Sequence, residues 1–117
     1  MLNRFDQKAI YEATMHACLV AVSEGFPHLS IRDIVDPPHE WFDAALARQI
    51  AMHLMIREVG WPKRRVVEVE ERSREAINRA LRTIDRRLQQ PRFQSHYDRM
   101  KARVRALLTI RASEEAA

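Results

Sequence analysis

Over residues 70–85 the order of side chains fits one regular conformation. Ala76, Ile77, Ala80, Leu81, Ile84 and, one turn on, Leu88 recur every three or four residues, the spacing that aligns side chains on one flank of an α-helix. Arg72, Glu75, Arg79, Arg82 and Arg86 run along another flank. A strand would scatter both sets over its two faces. The helix predicted over 72–88 can therefore bury one side and leave an arginine-bearing side for something else.

The same spacing recurs through the chain. Asn3 or Asp6 can cap a first helix to about residue 24, with Ile10, Met15, Ala17, Leu19 and Val22 as its apolar face and Gly25 at its end. Ser30 with Asp33 forms an acidic capping box for a short helix that Asp36-Pro37-Pro38 stops. A central helix is predicted over 40–59, with Phe42, Leu46, Ile50, His53, Leu54 and Arg57 in helical register and Gly60 at the C′ position. Pro62 can sit in the first turn of a short helix over 63–69, whose apolar side is Val66, Val67 and Val69. After Gln89-Gln90-Pro91 a last helix is predicted over 92–111 on Phe93, Tyr97, Met100, Val104, Leu107 and Leu108, and the polar tail 112–117 should fray. With 117 residues and only two glycines, the expectation is an all-α fold, a single compact domain over 1–117, its first helix within 1–27.

Charge divides the chain. Residues 1–59 carry five basic and eight acidic side chains, and residues 60–111 carry fifteen basic and six acidic ones. A polyanion would be met by the C-terminal half. The lone Cys18, set among Ala17, Leu19, Val20 and Ala21, reads as a small buried hydrophobe of a reducing compartment. His16, His28, His39, His53 and His96 show no metal-ligand spacing, so no metal or other cofactor is expected. No serine elbow or glycine-rich phosphate loop is present, and an enzyme is not expected. The N-terminus lacks a signal peptide's apolar run and no window suits a membrane span, which predicts a soluble, cytoplasmic, nucleoid-associated protein without a membrane partner. Trp41 and Trp61, at helix boundaries, read first as packing residues.

Two stretches carry a resemblance. Ala47-Arg48-Gln49-Ile50-Ala51-Met52-His53-Leu54 is similar to ARQIAMYL, and residues 70–85 align with GGRDHTTVLHAVRKIE through Arg72, Ile77, Ala80, Arg82 and Ile84. Both motifs belong to the C-terminal DNA-binding domain of the bacterial replication initiator DnaA, a Trp-repressor-like helix-turn-helix. Leu29-Ser30-Ile31-Arg32-Asp33-Ile34-Val35 resembles the short helix that precedes that domain's long helix. The likeness spans 28–111 and implies a divergent, stand-alone module with an extra N-terminal helix and without the family's nucleotide-hydrolysing domain.

The resemblance implies double-stranded DNA binding in the control of transcription or replication. Residues 63–69 would be the supporting helix and 72–88 the recognition helix. Arg48 and Gln49 would touch the DNA backbone, as the family's Arg-Gln pair does, together with Lys63, Arg64 and Arg65. Arg72, Ser73, Arg74, Asn78, Arg79 and Arg82 would face the groove. Glu70 and Glu71 stand where the family has glycines, Ser73 where it has aspartate, and Arg74, Glu75 and Ala76 where His-Thr-Thr reads bases. Asp36-Pro37-Pro38-His39-Glu40-Trp41-Phe42-Asp43 replaces a basic minor-groove loop. These exchanges support a second expectation, a helical interaction or dimerisation module that kept the fold without base readout, using its first helix to meet a second copy or another protein.

Overall fold

The computed structural model describes residues 6–116, so Asn3 lies outside the described residues. Asp6 caps the first helix: its Oδ1 accepts from the Ala9 amide at 3.1 Å and opens α1, Gln7–Gly25. The box at Ser30 is reciprocal, with Ser30 Oγ accepting from the Asp33 amide at 3.1 Å and Asp33 Oδ2 from the Ser30 amide at 3.2 Å; it opens α2, Ile31–Val35. Then come α3, Phe42–His53, a π-helical turn, Leu54–Val59, and the helices α4, Lys63–Glu70, α5, Arg74–Arg87, and α6, Pro91–Ala116. No strand occurs among the described residues.

Several boundaries depart from the sequence expectation for local reasons. The central helix starts at Phe42 rather than 40 because Glu40 holds φ +67° and Trp41 is the extended cap residue. Its final turns widen to the π form, and Gly60 closes them at φ 95°, donating its amide to the Met55 carbonyl at 3.1 Å. Pro62 precedes α4 as its extended cap and is not part of the first turn. α5 begins at Arg74, not 72, because Ser73 Oγ accepts from the Ala76 amide at 3.0 Å. Residues 112–116, expected to fray, continue α6, with Arg111 Nε reaching Glu115 at 3.3 Å one turn on.

One core draws on every helix, with Val22, Ile34, Ile50, Leu54, Met55, Val66, Ile77, Ile84 and Val104 fully or almost fully buried. The apolar stripe of α1 is turned inward, with α1 against α6 and α3. Gly25 allows a close approach of α1 to α6: a Cβ there would stand 2.7 Å from the Met100 sulfur. Cys18 is wholly buried, and desolvation pushes its thiol up to about 12. Phe42, placed on the core face by its spacing, is instead 65% exposed.

His53 is the buried polar side chain of this core. Asp85 Oδ1 lies 2.6 Å from Nε2 and can only accept, so Nε2 carries the proton, while Nδ1 accepts from the Tyr97 hydroxyl at 2.6 Å. Arg57 donates to the other oxygen of Asp85 at 3.1 Å. Burial lowers the His53 pKa, opposed by Asp85, so the ring is neutral near pH 7. One imidazole thereby ties the end of α3 to α5 and α6.

Candidate nucleic-acid interface

α4, the turn at residues 71–73 and α5 form two helices joined by a short connection, the arrangement expected of a helix-turn-helix. Glu71 makes the bend in the left-handed region, at φ 52° and ψ 37°, a C′ conformation that glycine adopts most readily. α4 buries Val66, and α5 buries Ile77, Ala80, Leu81 and Ile84. Arg74, Glu75, Arg79, Arg82 and Arg86 are left facing solvent, with Asn78 half-buried beside them. Arg72 is exposed in the turn, and Ser73 has its hydroxyl engaged as the cap of α5.

The cations here are mostly without acid partners. Among the described residues no carboxylate lies within 4.0 Å of the charged groups of Lys63, Arg64, Arg65, Arg72, Arg74, Arg79 or Arg86. Arg82 is an exception, since its Nη2 meets Glu75 Oε1 at 3.4 Å, both side chains 66% exposed. Lys63, Arg64 and Arg65 occupy the first turn of α4, and Arg74 that of α5, where the helix dipole disfavours positive charge. An anion supplied from outside would relieve that arrangement.

Between α3 and α5 lies an open cleft of about 300 Å³. Arg48, Gln49, Arg72 and Arg79 line it together with Asp36, over an apolar floor that includes Met52 and Ile77. Arg48 differs from the others in being committed inside the protein, its side chain only 12% exposed. Its Nη1 donates to the Val35 carbonyl at 2.7 Å and its Nη2 to Glu70 Oε1 at 3.2 Å. Glu70 takes a further hydrogen bond from the Tyr11 hydroxyl at 2.8 Å, and burial together with Glu70 pushes that hydroxyl's pKa up. Burial lowers the Arg48 pKa, and the nearby Arg72 charge adds to the effect. Arg48 is thus a strut joining α2, α3 and α4, and it brings a positive charge beneath Arg72. Gln49 is half-buried in the cleft wall.

No protein family, no curated protein and no solved structure matches the chain.

Sequence reasoning missed the two polar nodes that hold α4 and α5 in place. Both Glu70 and Asp85 receive hydrogen bonds from elements far away in the sequence, Tyr11 and Arg48 for one, His53 and Arg57 for the other. The helical spacing that put His53 on the core face was the only advance sign of either. Trp61 packs as expected: its ring meets Tyr11 edge-on at 5.1 Å, and Nε1 donates to Thr14 Oγ1 at 2.9 Å. Trp41 does not, being 49% exposed beside Phe42 in the acidic connection before α3. The Arg87 guanidinium stands 5.5 Å from the centre of the Phe42 ring.

Proposed function

We propose that the chain binds double-stranded DNA through α4 and α5, in the control of transcription or replication. The observation that carries this reading is the set of unpaired cations Lys63, Arg64, Arg65, Arg72, Arg74 and Arg79 on two consecutive helices and the short turn between them, several of them at helix N-termini where they add nothing to stability. Arg72, Arg74 and Arg79 would meet phosphates beside the cleft. Lys63, Arg64 and Arg65 would meet others roughly 12 Å away, the length of an eight-residue helix. Arg48 supports Arg72 from below rather than touching DNA. The DnaA-type resemblance gives the same helices the same roles.

The test is fluorescence anisotropy on a random-sequence duplex across a salt series. Neutralising five phosphates gives a slope of log K against log salt of about −4 to −5. Binding too weak to detect even at low salt would sink the reading. A protein partner is the second reading, favoured by the exposed Trp41 and Phe42 among Asp36, Glu40 and Asp43; pull-down that depends on Trp41 in the absence of DNA would support it.

A further inference from the structure

Glu75 is the acidic residue of the exposed α5 flank on which DNA binding is proposed to depend, and its pairing is unusual. Arg79 lies one helical turn away, at the i,i+4 spacing where ion pairs form most readily. The carboxylate instead reaches Arg82 at 3.4 Å, two turns along, and Arg79 stays free. For a pair seven residues apart to touch, both side chains must lie along the helix surface, spanning about 10 Å of rise. At 66% exposure on each side the contact is screened by water and holds the fold weakly. What it does is set an acceptor beside a planar donor on the solvent-facing flank of the helix.

We infer that the Glu75–Arg82 pair reads a G·C base pair in the major groove, an inference that rests on the duplex-binding reading. Guanine offers two acceptors, O6 and N7, that suit a guanidinium, and cytosine offers the N4 amino donor that suits a carboxylate. Glu75 accepts from cytosine N4 and Arg82 donates to the guanine edge. Glu75 stands in the first turn of α5, where a recognition helix meets base edges, and Arg82 reaches back to it from two turns further along. Glu75 also selects by repulsion, because a carboxylate facing thymine O4 or the guanine edge would set acceptor against acceptor. With Glu75 fixing the cytosine strand, the pair reads an orientation as well as a composition. Arg72, Arg74 and Arg79 supply affinity that is indifferent to sequence.

Selection of bound duplexes from a random pool, by the full chain and by Glu75→Ala, tests this. Circular dichroism confirms that the variant is folded. The wild type is expected to enrich one fixed G·C position and to lose about tenfold in affinity when that pair is changed to A·T. Glu75→Ala is expected to lose that preference to within about twofold, while binding random duplex as tightly or more tightly, since a negative charge has left the phosphate face. Unchanged discrimination by Glu75→Ala, or a wild-type pool without any fixed G·C position, overturns the inference and leaves duplex binding standing. Absence of duplex binding by the wild type at low salt overturns both.

Discussion

Along α6, Arg103 grips Glu24 through hydrogen bonds of 2.8 and 3.3 Å, Arg105 and Lys101 share Glu58, and Arg111 meets Glu115. Along α5, Arg74, Arg79 and Arg86 meet no carboxylate among the described residues, and Arg82 meets only the exposed Glu75. Two arginine-rich helices thus sit in one small protein with opposite electrostatic surroundings. Lys101, Arg103 and Arg105 of α6 find their acids on α1 and on the π turn and brace the bundle, while Arg92 and Arg99 of the same helix meet no carboxylate among the described residues. α5 and its turn leave their cations turned to solvent. Arginine content alone does not separate the two helices; the ion pairs that each side chain makes, or does not make, with the packed neighbours do.

The sharpest way to break this contrast is to remove the unpaired charges. Arg72→Ala, Arg74→Ala and Arg79→Ala combined should lower affinity for random duplex on the order of a thousandfold at low salt and flatten the salt slope by about 3. Thermal stability should hardly change, because none of the three is paired within the fold. Equal loss of affinity in an Arg103→Ala, Arg105→Ala protein would erase the distinction between the helices.

The two helices are also joined, at His53, and the next largest effect lies there. His53→Leu keeps the volume apolar but strands the Tyr97 hydroxyl in the core and takes the imidazole donor from Asp85. A loss of about 2–3 kcal/mol in urea unfolding is expected. A change below about 0.5 kcal/mol would mean that the hydroxyl finds water instead.

How much of this contrast could be read in advance depended on the distance over which each interaction acts. Helix spacing is local, and the apolar faces of α1, α3, α5 and α6 were legible in it, as was the Ser30–Asp33 box. The start of α5 lies two residues later than the helical spacing predicts, because Ser73 serves as its cap and not as a helix residue. Its stripe of Arg79, Arg82 and Arg86 was visible, but the fate of each charge was not. Arg103 is matched with Glu24 and Arg48 with Glu70 only after the helices pack, and no period in the sequence announces either pair. Arg48 shows the consequence: similar to a DNA-touching arginine by motif, it is drawn inward by Glu70, which stands where the DnaA motif has glycine.

Acid should weaken the joint between α5 and α6 in a defined direction. The His53 pKa is lowered on folding, chiefly by burial, so the unfolded chain takes up this proton first and stability falls as pH drops below the ordinary value of 6.5. For Asp85, burial raises the pKa, but the hydrogen bonds from His53 and Arg57 outweigh it and the net shift is downward. Its contribution is present above the ordinary 3.8 and is lost as pH falls further. The stability gap between wild type and His53→Leu should therefore narrow between pH 7.5 and pH 5.5. Urea midpoints that keep the same gap at both pH values would show that the imidazole does not titrate in that window.

The smallest effect expected is also the one that most cleanly separates the two helices. Arg103→Ala removes a two-point ion pair that is nearly half exposed on each side, 42% and 47%. Pairs in that setting contribute about 0.2–1 kcal/mol, so the melting temperature should fall by only a few degrees. Affinity for duplex should stay within about twofold, because the Arg103 charge is already matched by Glu24 and the deletion leaves a carboxylate on α1, away from the α5 flank. Arg79→Ala should behave in the reverse way, with unchanged melting and weakened binding. If both variants melt early and both bind normally, the arginines of α5 are braces like those of α6, held by contacts that form only in solution.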